Sequence, residues 1–307
     1  MKTKAFRIGT RSSPLALEHA YEARSYLMNA HKIPEQNFEI VSITTQGDRI
    51  TDRALYEIGG KGLFTEEIEK KLISCEIDFA VHSAKDMPVK LPEGLQISAY
   101  LPREDIHDVF ISHTAKCLND LPNNGIIGTS SLRRQALLRR WRPNISVINF
   151  RGQIETRLNK LAKNQADAIL LAHAGIKRLK KESVIKEILN LEDFPPSPAQ
   201  GAICIETHSN NTRAHKLAIA VNHVETWDAV SCERAFLSAL DGSCRTPIAG
   251  FASCEGQYLS FYGIILTPDG TSFHEVSRNG KRRDAIDIGQ DAGKYIRIIA
   301  NKTVFNW

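Results

Sequence analysis

The chain has 307 residues, which at roughly 150 residues per domain points to two or three domains. Apolar residues make up 42% and charged residues 24%, a mix that buries a sizeable core and excludes disordered, collagenous and coiled-coil chains. Forty Lys and Arg against 35 Asp and Glu leave +5; no apolar run approaches the ~18 residues of a membrane span, and MKTKAFRIGT carries no apolar stretch behind its basic residues, so a cytoplasmic chain without a membrane partner is expected.

Residues 5–9 (AFRIG) read as a short buried strand. Arg11-Ser12-Ser13-Pro14 then opens a helix to about residue 29, with Ser13 as cap and Pro14 in the first turn. A strand over 39–45 leads into the polar stretch 46–60, which ends in Gly59-Gly60 and is expected to form a mobile lid. A helix over 62–74 and a strand over 77–83 follow, the grammar of a parallel α/β sheet. The pattern repeats with strands 108–112 and 125–129, helix 130–141, strand 146–150, helix 153–163, strand 168–172 and helix 175–190. The Pro-rich FPPSPAQG (194–201) marks a boundary. Strand 202–208 is too short a fragment to stand alone and reads as returning to the first sheet. From 223 the order changes to a helix ending at 240, strands 248–254, 257–266 and 271–277, and a helix over 281–300, a small α+β domain.

Charge is concentrated in one segment. Between Arg133 and Arg178 stand eleven Lys and Arg against Glu155 and Asp167, a net of +9, which leaves −4 for the rest. A solvated helix face, a nucleic-acid surface and a site for a small polyanion all produce such a run. With 7% aromatic residues and no helix-turn-helix, zinc-finger or RNA-binding signature, nucleic acid is not expected as a partner. In GIIGTSSLRRQ (125–135) a strand meets a helix start through Thr129, Ser130 and Ser131. Free N–H groups and hydroxyls there suit an anion, reinforced by Arg133 and Arg134; the plain alternative is an N-cap by Ser130.

GGKG (59–62) fails as a P-loop, because Leu55 replaces the first Gly and Gly62 follows Lys61. HSAKDMP (82–88) follows a buried strand, so His82, Lys85 and Asp86 fall where α/β sheets bind ligands. The six cysteines (75, 117, 204, 232, 244 and 254) form no CxxC pair and no zinc-finger spacing, so no metal is expected and the thiols are read as reduced. Cys244 alone sits in a Gly/Ser turn beside an arginine, a setting that favours thiolate, although a silent loop cysteine fits too.

Taken in order, RSSPLAL, GGKGLF, HSAKDMP, GTSSLRRQ, FRGQIETRL, PAQGAI and DGSCRTPIAG resemble the hydroxymethylbilane synthases, or porphobilinogen deaminases, from about residue 6 to the end. The resemblance implies two periplasmic-binding-protein-like α/β domains around a cleft plus a small C-terminal α+β domain. Here these would be 1–101 with 199–222, then 102–198, then 223–307. It implies a monomeric enzyme that joins four porphobilinogen molecules head to tail, releases ammonia at each step, and yields the linear tetrapyrrole hydroxymethylbilane. It also implies a dipyrromethane cofactor held by a thioether to Cys244, and Asp86 as the catalytic carboxylate. Arg11, Ser13, Lys85, Thr129, Ser131, Arg133, Arg134, Arg151, Arg157 and Gln200 match cofactor- or substrate-binding positions, as do Arg178 and Lys61. The chemistry fits: a six-ring chain bears about twelve carboxylates that call for bidentate cations, and a fixed carboxylate answers positive charge on pyrrole nitrogen. Glu57 stands where many bacterial members have lysine, His19 where glutamine is common, and DGSCRTP replaces EGGCQVP. A non-catalytic small-anion binding protein is the alternative, one that leaves Cys244 and the third domain unused.

Overall fold

Thirteen strands and nine α-helices alternate through residues 5–49, 62–241 and 246–300, the parts that the computed structural model describes. Lys61, Glu57, Cys244 and the proposed lid from residue 50 on lie outside them. In chain order the first elements are β1 (Phe6–Arg11), α1 (Pro14–His31), β2 (Phe38–Ile43), α2 (Gln46–Arg49), α3 (Glu66–Ile73), β3 (Phe79–Ser83) and β4 (Leu95–Tyr100). Next come β5 (Asp108–Ser112), β6 (Ile126–Gly128), α4 (Leu132–Trp141), β7 (Ser146–Ile148), α5 (Ile154–Ala162), β8 (Ala168–Ala172), α6 (His173–Arg178) and β9 (Glu187–Ile188). The chain ends with β10 (Ile203–His208), α7 (Thr212–Ile219), α8 (Val224–Ala239), β11 (Ile248–Glu255), β12 (Tyr258–Leu266), β13 (Phe273–Lys281) and α9 (Ala285–Ile299).

These elements gather into two units. One holds the described residues up to Glu104 together with Gly201–Trp227; the other holds Asp105–Gln200 and the chain from Asp228 onward. In the first, the sheet order is β2-β1-β3-β10-β4. β1, β2 and β3 run parallel, whereas β10 is antiparallel to both β3 and β4. The short strand at 203–208 does return to the first sheet, and the sheet is mixed rather than wholly parallel. Side chains alternate across it, as a period of two requires. Phe79 and Val81 pack with Ala20, Ala23 and Leu27 of α1, while Ala80 packs with Ile68 and Leu72 of α3. His82, two residues after Ala80, therefore points to the α3 face.

The second unit repeats the order as β7-β6-β8-β5-β9, again with an antiparallel fourth strand, β5. Its core joins Phe110, Leu137, Leu138 and Phe194 to Ala249, Ile264 and Leu266 of the last sheet, which is why that sheet clusters here. β11, β12 and β13 are antiparallel neighbours, with Phe236 of α8 against Phe261 of β12 at 4.9 Å between ring centres. α9 lies close on α8: a Cβ on Gly289 would stand 2.0 Å from the Cys232 carbonyl, so only glycine fits.

The helix expected over 175–190 is not one helix. α6 stops at Arg178, Lys180 adopts φ +55°, and Glu187–Ile188 joins the sheet edge instead. β4 and α7 are additions to the sequence reading.

Candidate active site

In the first unit, β1 delivers Arg11 and the next three residues turn into α1. Ser13 Oγ accepts from Ala16 N at 3.3 Å and Pro14 occupies the first turn, so the RSSP signal forms the expected cap. The Arg11 guanidinium is fixed on three sides. Its Nε donates to Asp48 at 3.2 Å and its Nη2 at 2.5 Å, and its plane lies over the Phe64 ring at 4.1 Å. Nη1 stands 3.7 Å from Asp86 Oδ2. Burial pushes the Asp48 carboxyl up, but Arg11 and Thr45 outweigh it and hold Asp48 below the usual carboxylate range. Asp48 thus stays an anion that aims Arg11.

Asp86 ends a single 3₁₀ turn, Ala84–Asp86, directly after β3, and its carboxylate remains 30% exposed. The two carboxylates therefore differ in setting, one tied into the wall and one facing out. Arg11, Ser13, Phe64, His82, Lys85 and Asp86 line one open pocket at the carboxyl end of β3. Four of the expected site residues meet here.

Behind that pocket lies a buried polar cluster that the motifs did not announce. His82 Nε2 is 3.2 Å from Glu206 Oε2 of β10, and Glu206 is fully buried. Glu69 of α3 is also buried; burial pushes its carboxyl up, the neighbouring Glu206 pushes the same way, and together they outweigh Thr65 and His82. The available signal was a charged residue inside the apolar strand AICIETH.

In the second unit, β6 runs through Gly128 into Thr129-Ser130-Ser131. Gly128 is required because a Cβ would stand 2.5 Å from the Phe150 ring. The helix cap is Ser131 rather than Ser130: its Oγ accepts from Arg134 N at 3.4 Å. Ser130 instead bonds Asn149 Oδ1 at 2.5 Å and accepts from Phe150 N at 3.0 Å, joining the strand ends of β6 and β7. Thr129 is buried, and its Oγ1 accepts from Ser131 N.

Arg133 and Arg134 both turn inward. Arg134 grips Asp108 with Nε at 3.0 Å and Nη2 at 2.8 Å, and its Nη1 donates to the Leu170 carbonyl. Arg133 Nη1 donates to the Pro195 carbonyl at 2.7 Å and pairs with Asp108 Oδ2 at 2.8 Å. Its Nε is buried without a hydrogen-bond partner. Gln200 Nε2 donates to Asp108 Oδ1 at 2.9 Å and to the Ile106 carbonyl at 2.7 Å. Burial works against ionised Asp108, yet the two guanidiniums overcome it and hold the carboxyl far below the ordinary range. Asp108, unmarked in the sequence reading, is the anchor that brings Arg133, Arg134 and Gln200 together.

Arg151 is buried after β7, and Arg157 donates to the Gly152 carbonyl at 2.8 Å, where Gly152 takes φ +124°. Arg178 closes α6. No cluster of three or more His, Cys, Asp or Glu among the described residues could hold a metal, and no described helix is long and apolar enough to cross a membrane.

The family model "Porphobilinogen deaminase, dipyromethane cofactor binding domain" matches residues 6–216, and "Porphobilinogen deaminase, C-terminal domain" matches 227–297. The chain is 48% identical over 298 residues to the porphobilinogen deaminase of Nitrobacter winogradskyi, covering 97% of this chain and 94% of that one. Among solved structures it is similar to the BvgS VFT2 domain of Bordetella pertussis, at 16% identity over 71% of this chain and 86% of that one, TM-score 0.43. It is also similar to a methionine-bound nutrient binding protein from Burkholderia cenocepacia, at 14% identity over 71% and 91%, TM-score 0.45.

Proposed function

The chain belongs to the porphobilinogen deaminase family, and from that premise we propose that the pocket around Arg11 and Asp86 is where its chemistry occurs. The protein is a transferase of tetrapyrrole biosynthesis that condenses porphobilinogen into hydroxymethylbilane with release of ammonia, and it uses a dipyrromethane cofactor. When bound, that cofactor supplies a tethered pair of pyrroles on which the chain is primed.

The residues present suit such a group. A dipyrromethane bears several carboxylates, and the Ser131 helix start offers hydroxyls, orphan N–H groups and the unpartnered Nε of buried Arg133. Thr129, Ser131 and Arg133 would hold it, with Arg134 and Gln200 supporting them from behind and Cys244 as the point of attachment; Arg151, Arg157, Arg178 and Lys61 would take carboxylates of the lengthening chain. Arg134 and Gln200 act by fixing the helix start through Asp108, since both are bonded to that carboxylate.

In the first unit, Asp48 takes the Nε–Nη2 edge of Arg11 and leaves Nη1 on the side of Asp86. Arg11 and Lys85 would clamp the acetate and propionate arms of the substrate, with Ser13 beside them. Asp86, outward and held in place by its 3₁₀ turn, would stand against the pyrrole nitrogen and stabilise the positive charge that grows as ammonia departs.

The observation that carries the reading is the outward Asp86 beside a pinned Arg11 in a chain matched to the family along nearly its whole length. Incubation with porphobilinogen should release ammonia and linear tetrapyrrole. Porphobilinogen left unconsumed by cofactor-bearing protein would overturn it.

A further inference from the structure

Each ring added to the chain releases one proton from carbon. The aminomethyl carbon–nitrogen bond breaks and ammonia leaves with the electron pair. The methylene then bonds to the α-carbon of the acceptor pyrrole, and that carbon's C–H bond breaks, returning its electrons to the ring. The released proton needs a base, and the departing ammonia finally takes it up as ammonium. Asp86 serves the pyrrole nitrogen, a different atom from the α-carbon.

His82 meets the description of a second proton-handling group. It stands four residues before Asp86 and is among the residues lining the same pocket, with 5% of its surface exposed. Its Nε2 lies 3.2 Å from Glu206 Oε2. With Glu206 Oε2 as the acceptor of this contact, Nε2 carries the hydrogen and Nδ1 keeps a lone pair. The two ring nitrogens point away from one another, so Nδ1 lies on the side away from Glu206 and is the nitrogen available as a base.

The backing is unusual for a buried site. Glu206 on β10 and Glu69 on α3 converge on the same face of the sheet, and each keeps one buried oxygen, Oε1, without a hydrogen-bond partner. Glu69 is displaced toward its neutral form by burial and by Glu206. Of the two carboxylates, Glu206 is the one in hydrogen-bond reach of His82. Other charged or titratable groups around His82 come from β1 (Arg11), α1 (His19), β10 (Cys204, opposite it in the sheet) and the turn after β3 (Lys85 and Asp86). Imidazole backed by carboxylate is the arrangement that makes histidine a competent base.

We propose that His82, held by Glu206, accepts the α-carbon proton released at each condensation and hands it to the departing ammonia, with Glu206 as its positioning residue. The proposal rests on the assigned reaction. Wild-type enzyme run in parallel separates the two: failure there removes the reaction, whereas an effect missing only in the variants removes the role of His82.

The test has two arms. Nitrogen-15 NMR of histidine-labelled cofactor-free protein, with His82→Asn to assign the signal, should show the Nε2–H tautomer, and Glu206→Gln should redistribute it. Cofactor-bearing His82→Asn should turn over at least ~10²-fold more slowly. It should also show a larger primary isotope effect with porphobilinogen deuterated at the free α-carbon, because proton removal becomes limiting. Glu206→Gln should raise the same isotope effect and shift the pH profile, and it decides the matter if His82→Asn does not fold. A wild-type isotope effect in the folded variants, or an Nδ1–H tautomer in the native protein, would overturn the assignment.

Discussion

Asp86 and Asp108 show how one residue type is put to opposite uses. Asp86 keeps 30% of its side chain exposed with Arg11 at 3.7 Å, so its charge is available to a substrate. Asp86→Asn preserves the shape and should leave the cofactor in place by mass, while turnover falls at least ~10²-fold. Asp108 is fully buried and spends its charge on Arg133, Arg134 and Gln200. Asp108→Asn leaves two buried guanidiniums short of an anion and should cost about 3–5 kcal/mol in denaturant unfolding. The folded carboxyl ionises more readily than it would in an unfolded chain. Its contribution is therefore complete above roughly pH 4, the unfolded value, and fades as pH falls below that. Wild type should lose stability steeply in that acid range, and Asp108→Asn should show a flatter slope. Equal slopes would mean that the triad is not charged. HSAKDMP made Asp86 legible because its loop lies at a strand's carboxyl end. Asp108 was hidden, since an acid at the edge of an apolar strand shows its purpose only when α4 folds over it.

At the scale of elements, local signals were read well and distant ones poorly. Ser13 with Pro14 located the start of α1 because a cap needs only its own next turn. At the start of α4 two serines competed, and strand pairing decided. Ser130 is consumed by Asn149 and Phe150 at the end of β7, leaving Ser131 to cap. Ser131→Ala should therefore destabilise by about 1 kcal/mol, and Ser130→Ala should act through the β6–β7 junction instead. Amide exchange distinguishes them: the first should speed exchange at the start of α4, the second at Phe150. Exchange accelerated at the same amides in both would contradict the division. β4 escaped notice because its partner β10 lies about a hundred residues away, beyond any local pattern. The helix expected over 175–190 failed where Lys180 takes a left-handed conformation, which composition does not reveal.

For the molecule as a whole, the doubled α/β plan was visible in the alternation of strands and helices, and the returning strand was visible because residues 202–208 were too short to stand alone. The antiparallel sense of β5 and β10 was not, as direction depends on where the chain crosses between the units. The +9 segment left a solvated face and a polyanion site both open; Arg133, Arg134 and Arg151 are in fact buried, and the first two spend charge on Asp108. The central claim is that this scaffold carries a covalent pyrrole primer and extends it one ring at a time. Intact mass of the purified protein tests it most directly. The account predicts a chain heavier than its sequence by two linked pyrrole units, further species spaced by one ring on brief exposure to porphobilinogen, and the bare sequence mass for Cys244→Ala. An active enzyme of unmodified mass would contradict it.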